Sequence, residues 1–276
     1  MSDVTVIIPT RDEALHVVRA VQSAAPLGQV FVVDSGSTDA TVALARDEGA
    51  MVVEQSWLGH AAQKNWALDN LNIRTNWVMF LDADEWVTPE LASLIQHITE
   101  QAEFEAVAYH LPRKNVFMGR NLEHAWWYPD YQLRLFRRGS ARYEARRVHE
   151  HMIVDGPVDY LDVPLWHENL KGVDAFLERH IRYARAEAAE MMDMSVGGGP
   201  APGFWQAVTD AAARRRFLKV HVWSRLRHRT AVRFLWMYYV KRGYLDGPQG
   251  RVYSQLIAAY EAMVDAYLLE ARRDGE

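Results

Sequence analysis

The chain has 276 residues, of which 49% are hydrophobic and 24% charged, with a formal net charge of −5. That is the composition of a globular protein able to bury a sizeable core, and it excludes a disordered chain. The absence of cysteine excludes disulfides, a cysteine-bearing zinc site and a cysteine nucleophile.

The charge is unevenly spread. From Arg214 to Arg242 there are ten Lys or Arg and no Asp or Glu, which leaves 21 basic against 36 acidic residues in the rest of the chain. Met1-Ser2-Asp3-Val4 runs straight into an apolar stretch, so no signal peptide is expected. No run of about 18 uncharged apolar residues is present, so no spanning helix is expected.

In chain order, Val4 to Ile8 reads as a strand ending at Pro9, and Arg11 to Ala24 as a helix. Val30 to Val33 is a second strand, followed by a helix from Thr38 to Asp47 that Gly49 closes. Met51 to Val53, the helix Ala61 to Leu71 and the strand Trp77 to Leu81 continue the alternation. Thr88-Pro89 is an N-cap with proline at the first helical position, and that helix runs to about Glu100. Strands alternating with helices predict an α/β fold with a mainly parallel sheet. Ligands of such sheets bind beyond the C-terminal ends of the strands, where Pro9-Thr10-Arg11, Asp34-Ser35-Gly36 and Asp82-Ala83-Asp84 all fall. Shorter strands follow at Ala106 to Leu111, Tyr131 to Arg137 and His151 to Val154. A helix is expected over Val173 to Met192, then a Gly/Pro linker over 197–202. Helices over Phe204 to Leu226, Ala231 to Lys241 and Arg251 to Ala271 complete the chain. The expected division is a catalytic domain over 1–170 and a helical extension over 171–276.

Three places carry candidate chemistry. Asp82 and Asp84 stand at i and i+2, which on an extended segment turns both carboxylates the same way. Such an oxygen-rich corner suits Mg²⁺ or Mn²⁺, and a polar loop leaving a strand reads the same way. Asp34, directly after an apolar strand, is placed to accept from a nucleobase N–H or a ribose hydroxyl. Ser37, Thr38 or Asp39 serves either that site or the cap of the following helix. Trp126, Trp127 and Tyr128 offer flat faces to sugar rings or belong to the core. Arg134 and Arg138 share a strand face opposite Arg137, as candidate ligands for a diphosphate or an anionic acceptor.

Taken together, Val6-Ile7-Ile8-Pro9-Thr10-Arg11-Asp12-Glu13, Val32-Val33-Asp34-Ser35-Gly36-Ser37-Thr38-Asp39 and Phe80-Leu81-Asp82-Ala83-Asp84-Glu85 resemble glycosyltransferase family 2. The resemblance implies a GT-A (Rossmann-like) fold with a C-terminal α-helical extension, a nucleotide-diphosphate sugar donor and inversion at the anomeric carbon. It places Pro9, Thr10, Glu13, Asp34, Lys64, Asn65 and Asp82 on the nucleotide, and Asp82 and Asp84 on the metal. Asp12 stands where the family often has Asn. The Gln-x-x-Arg-Trp motif of processive synthases is absent, which speaks against a polymerising synthase. Farther on, Tyr128 to Arg138, Val148-His149-Glu150, Leu165-Trp166-His167 and Gly243 to Gly250 are similar to a subgroup that includes lipopolysaccharide core β-1,4-glucosyltransferases.

Inverting transfer needs a base for the acceptor hydroxyl. Glu150 is the leading candidate, with Asp130 and His149 as competitors. His167 is a third metal ligand, a diphosphate contact or a core residue. The basic, aromatic block from Arg214 to Arg242 suits the interface of an anionic membrane, and a helical subdomain with a solvated basic face or a nucleic-acid surface is the other reading. The expectation is a metal-dependent transferase, with Mn²⁺ or Mg²⁺, that moves a hexose from a UDP-sugar such as UDP-glucose to a lipopolysaccharide core or other bacterial surface glycan. It would sit in the cytoplasm, peripherally on the inner face of the membrane, with no nucleic-acid partner. The rival classes are a sugar-phosphate nucleotidyltransferase, which usually opens with a glycine-rich phosphate loop that Ile7-Ile8-Pro9-Thr10-Arg11 lacks, and a non-catalytic adaptor.

Overall fold

The computed structural model describes residues 3–101, 105–144, 152–196 and 228–274. The expected linker at 197–202, the helix over Phe204 to Leu226, and His149 and Glu150 lie outside these residues. The chain divides into two compact units, residues 1–121 with 127–170, and residues 122–126 with 171–276.

The first unit is built on a ten-stranded sheet. Its parallel half is made by β1 (Val4–Thr10), β2 (Gly28–Asp34), β3 (Met51–Glu54) and β4 (Trp77–Phe80), in the order β3-β2-β1-β4. Beyond β4 the order continues through β8 (Asp130–Arg137), β6 (Ala108–Phe117), β12 (Leu165–Glu168) and β5 (Glu85–Trp86). β8 is antiparallel to both β4 and β6, and β12 is parallel to β6. The short strands β7 (Arg120–Leu122) and β11 (Val158–Tyr160) also pair with β6, while β9 (Ala141–Tyr143) and β10 (Met152–Val154) form a separate hairpin.

Alternation along β1 sends Val4, Val6 and Ile8 to one face and Ile7 to the other, as a period of two requires. The first face packs against α1 (Val17–Ala24), α2 (Thr41–Asp47) and α4 (Pro89–Glu100) through Val21, Ala45, Leu91 and Ile95. The second packs against α3 (His60–Asn70) and the β9–β10 hairpin through Ala67, Phe80, Phe136 and Ala141. Helices thus cover both faces of a mainly parallel sheet, the predicted α/β class. Thr88 caps α4 as expected, its hydroxyl accepting the Leu91 N–H at 3.2 Å.

Two predicted helix starts move. The helix expected from Arg11 begins only at Val17, and the one expected from Thr38 begins at Thr41. The cause is a set of bonds between the two loops. Asp12 adopts a left-handed backbone, φ 53°, which Asp and Asn tolerate better than other side chains. Its Oδ1 accepts the Thr38 N–H at 2.7 Å, and its own N–H donates to Ser37 Oγ at 2.8 Å. Glu13 N–H donates to Thr41 Oγ1 at 2.7 Å, and Ala14 N–H to Asp39 Oδ2 at 3.1 Å. Asp39 also accepts the Thr41 N–H at 2.9 Å, so it serves the start of α2.

The second unit contains α5 (Gly172–Val196), α6 (Arg229–Leu235) and α7 (Gly247–Asp274). Ala184 and Ala188 of α5 pack on Val264 and Leu268 of α7. Between α6 and α7 the chain makes a π-helical turn over Trp236–Val240 and a 3₁₀ turn over Gly243–Asp246. The buried Asp246 carboxylate accepts the N–H groups of Glu123, His124 and Ala125 at 3.2, 2.9 and 2.7 Å, which ties 122–126 to this unit. A Cβ on Gly250 would lie 2.1 Å from the Gly243 carbonyl oxygen, so only glycine fits there. Among the described residues no helix is long and apolar enough to cross a membrane.

Candidate active site

The C-terminal ends of β1, β2 and β4 bring three loops together. Asp34, at the end of β2, is almost fully buried, and its carboxylate accepts from Thr10 Oγ1 at 3.2 Å, Gly36 N–H at 3.0 Å, Ser37 N–H at 2.8 Å and Ser37 Oγ. Both oxygens are therefore committed within the chain. Pro9 and Thr10 form the last rungs of the β1–β2 ladder, opposite Val33 and Asp34. Glu13 turns to the buried His16, with Oε2 2.7 Å from His16 Nδ1.

Asp82 and Asp84 follow β4, but the segment is a turn rather than an extended strand, with Glu85 N–H donating to Asp82 O at 2.9 Å. The i, i+2 alignment expected of a strand does not hold, and the two carboxylates have separate partners. Asp82 Oδ1 lies 3.6 Å from Lys64 Nζ, and its Oδ2 accepts from Arg134 Nη2. Asp84 Oδ2 lies 3.1 Å from His167 Nε2 and accepts from Asn169 Nδ2 at 3.2 Å. His167 reaches Asp84 because β12 pairs with β5, directly opposite Glu85.

Behind Asp82 stands a chain of alternating charges. Arg134 Nη2 also donates to Glu85 Oε1 at 2.6 Å, Arg113 Nη1 lies 3.5 Å from the same oxygen, and Arg113 Nη2 donates to Asp130 Oδ2 at 2.7 Å. Glu85 is fully buried and also accepts the Asp82 N–H at 3.0 Å. Burial opposes charge on Asp82, but Arg134 and Lys64 outweigh it and hold the carboxyl far below the usual carboxylate range. Burial likewise pulls the Lys64 ammonium down, but Asp82, Tyr143 and Glu85 together outweigh it, so the ammonium stays above its ordinary value. Burial dominates at Glu85 and pushes its carboxyl up. At Asp84, burial is overcome by His167, when its Nε2 carries a proton toward the carboxylate, and by Asn169, and the carboxyl is held low.

Asn65 faces a backbone instead of the loops. Its Nδ2 donates to Tyr143 O at 2.9 Å and its Oδ1 accepts the Tyr143 N–H at 3.0 Å, which fastens β9 to α3. Lys64 Nζ is 5.1 Å from the Tyr143 ring. β9 is thus anchored beside Lys64. Asp130 is clamped by Arg113 and accepts from Gln132 Nε2 at 2.9 Å. Arg137, the last residue of β8, lies 5.0 Å from the Trp77 ring, and Arg138 falls in the turn beyond the strand, where it donates to Ile73 O at 2.7 Å, so it does not share a strand face with Arg134.

The sequence model of glycosyl transferase family 2 matches residues 5–149, more than half of the chain. The chain belongs to glycosyltransferase family 2. Over most of its length it is similar to the lipopolysaccharide core biosynthesis glycosyltransferase LpsC of Rhizobium meliloti, 27% identical over 255 residues, 90% of this chain and 87% of that protein. It is 37% identical over 123 residues to an uncharacterized glycosyltransferase of Rickettsia felis, covering 44% of this chain and 42% of that protein. A Rickettsia conorii glycosyltransferase, RC0292, is 38% identical over 120 residues, 43% of this chain and 41% of that one. The matched stretch thus spans about two fifths of the length of these Rickettsia relatives. Among solved structures, TarS of S. aureus is 14% identical with a TM-score of 0.46, covering 100% of this chain and 92% of that one.

In this family 2 chain, sequence reasoning missed Glu85, Arg113, Asn115 and Asn169 as parts of the site. Glu85 had a visible signal, an acid three residues after Asp82 inside a motif already singled out. Asn115 and Asn169 are polar residues of unremarkable context: the β6–β12 register sets Asn115 opposite His167, and the Glu168 N–H bond to Asp84 O brings Asn169 to the Asp84 carboxylate.

Proposed function

We propose that the chain is an inverting, metal-dependent glycosyltransferase that moves a hexose, glucose in the first instance, from a UDP-sugar to a lipopolysaccharide core or another bacterial surface glycan. The observation that carries this reading is the meeting of Asp84 with His167 beside the Asp82–Lys64 pair, at the strand ends where the nucleotide motifs converge. The LpsC relative supports the acceptor class.

The donor set fits a divalent cation. His167 Nδ1 lies within hydrogen-bond distance of Asn115 Oδ1, and an amide oxygen only accepts, so Nδ1 carries the proton. In the neutral ring Nε2 then presents a lone pair to the Asp84 carboxylate, an arrangement that requires a proton or a cation between them. Among the described residues no group of three or more Asp, Glu or His converges as a metal cage. Two protein ligands completed by diphosphate oxygens is the usual pattern for Mg²⁺ and related hard cations. Asp84 and His167 would hold Mn²⁺ or Mg²⁺, which when bound neutralises charge developing on the diphosphate. Asp82, already facing two cations but with 36% of its side chain open, takes the nucleotide side with Pro9, Thr10, Glu13, Asp34, Lys64 and Asn65.

Glu150 takes the acceptor proton in this reading, with His149 and Asp130 as the other groups able to do so. The commitment of Asp130 to Arg113 favours Glu150. The domain carrying this chemistry is 1–170, and 171–276 contacts the cytoplasmic face of an anionic membrane. Leu235, Tyr239, Val240, Tyr244 and Leu245 are each about half exposed or more beside Lys241 and Arg242, which supports the contact. Part of the basic block faces inward, since Arg229 pairs with Asp265 and Arg233 with Glu261 at 2.6 Å.

The test is UDP release from a panel of UDP-sugars with and without Mn²⁺ or Mg²⁺. Metal-dependent release from one donor is expected. Pyrophosphate release would make the chain a nucleotidyltransferase instead, and donor binding with no turnover would make it an adaptor.

A further inference from the structure

Resting on the reading of Asp84 and His167 as the cation pair, we propose that His16 is a positioning residue that fixes the strap of residues 168–170 against which that pair is set. His16 has no solvent exposure and stands at the N-cap of α1. Its Nε2 accepts the Leu170 N–H at 2.7 Å, across 154 positions of sequence. A backbone N–H only donates, so Nε2 holds the lone pair and Nδ1 the proton, which goes to Glu13 Oε2 at 2.7 Å. Both nitrogens of a neutral ring are thereby satisfied, as burial demands.

Each residue of the strap is tied to a different place. Glu168 N–H donates to Asp84 O at 2.9 Å, and its carboxylate accepts from Arg19 Nη1 of α1 at 2.8 Å. Asn169 Nδ2 donates to Asp84 Oδ2 at 3.2 Å, and Leu170 N–H to His16. Leu170 is 48% exposed, so packing does little to hold the backbone there and the bond to His16 is its anchor. Asn169 sits between that anchor and Glu168, with His167 one residue before. A bond at the start of α1 therefore sets the geometry of the groups around Asp84. It also gives Glu13 a second role, as the acceptor that orients the His16 ring.

His16→Phe keeps a ring in the cavity and removes the acceptor, whereas His16→Gln returns a carbonyl oxygen for the Leu170 N–H and an amide donor for Glu13. Two measurements on the full chain decide the matter: Mn²⁺ titration by calorimetry with UDP present, and hydrogen exchange at the Leu170 amide. Loss of an outer partner of a metal ligand typically costs 10-fold or more in metal affinity. In His16→Phe, Mn²⁺ affinity falls about tenfold and Leu170 protection is lost, and in His16→Gln both return to within about threefold of native. Leu170→Pro, which deletes the donated N–H at an exposed position, lowers Mn²⁺ affinity like His16→Phe and serves if that variant does not fold. Native Mn²⁺ affinity in His16→Phe or Leu170→Pro would overturn the proposal, as would equal weakening in His16→Phe and His16→Gln. A native chain that protects the Leu170 amide but takes up no Mn²⁺ with UDP would sink the cation assignment, and the positioning role with it. A native chain that binds Mn²⁺ with the Leu170 amide unprotected would sink the tether alone.

Discussion

Replacing Arg134 by Met tests whether the buried charges behind Asp82 act as one compensated set. Met keeps an unbranched apolar stem and removes the guanidinium that bridges Asp82 and Glu85. Arg134 is 5% exposed and Glu85 fully buried, so solvent does not replace the lost cation. Breaking a buried pair by removing one partner costs about 3 kcal/mol or somewhat more. For a chain of this size 1 kcal/mol moves the melting temperature by roughly 2–4 °C, so a fall of roughly 6–12 °C is expected at pH 8. Glu85, whose carboxyl burial already holds above its ordinary value of 4.5, goes higher still without Arg134. A carboxyl with a raised folded-state pKa favours the fold in acid and withdraws that stability as pH rises through the raised value. The deficit of Arg134→Met against the native chain therefore narrows between pH 8 and pH 5. Calorimetric melting at both pH values is the assay. A fall of less than about 2 °C at pH 8, or a deficit that widens in acid, would refute the compensated-set reasoning.

Asp84→Asn should lower metal-dependent UDP release by at least about 100-fold while the melting temperature stays near native, read by coupled UDP assay and thermal melting. Asp246→Ala strands three backbone N–H groups in the second unit, and a loss of about 3 kcal/mol in urea unfolding is expected. Gly250→Ala sets a methyl group against the Gly243 carbonyl and should lower stability or soluble yield, whereas Gly36→Ala meets no neighbour and is strained only by its φ of 82°. Asp12→Asn keeps a side chain suited to φ 53° and an oxygen for the Thr38 N–H, so its melting curve should overlay the native one, while Asp12→Val lowers it.

Much of the sheet was legible because its strands are buried on both faces and punctuated locally. Val4 to Ile8, Val30 to Val33 and Trp77 to Leu81 are apolar runs, and each ends in the polar residues that carry the motifs. The Thr88-Pro89 start of α4 was legible for the same reason, since a cap is a local event. The starts of α1 and α2 were not, because Asp12 bonds Ser37 and Thr38, and Ala14 bonds Asp39, across 25 or 26 positions. No window along the sequence contains both loops. The same holds for β5, two residues long, whose identity as a strand depends on Trp166 and His167 lying opposite. The role of the Gly243 to Gly250 motif also became visible only with its partner, because Asp246 closes on residues 123–125.

The Asp-x-Asp motif shows most sharply what local pattern omits. Read as an extended segment, Asp82 and Asp84 are two equivalent carboxylates. The turn after β4 makes them different. Asp82 is neutralised by the chain's own cations, Lys64 and Arg134, whereas Asp84 faces one imidazole and one amide. A divalent cation approaching Asp82 would meet two positive groups already in place, and one approaching Asp84 meets a lone pair. Under the proposed assignment, electrostatics divides the labour, with Asp84 and His167 taking the cation and Asp82 facing hydroxyl or N–H donors. The division has a measurable consequence. Asp82→Asn still accepts a hydrogen bond but releases Lys64 and Arg134 from their counter-charge, so it should weaken UDP binding more than the apparent affinity for Mn²⁺, whereas Asp84→Asn should do the reverse. Equal losses of both affinities in both variants, by calorimetry, would show that the two carboxylates act as a single site after all.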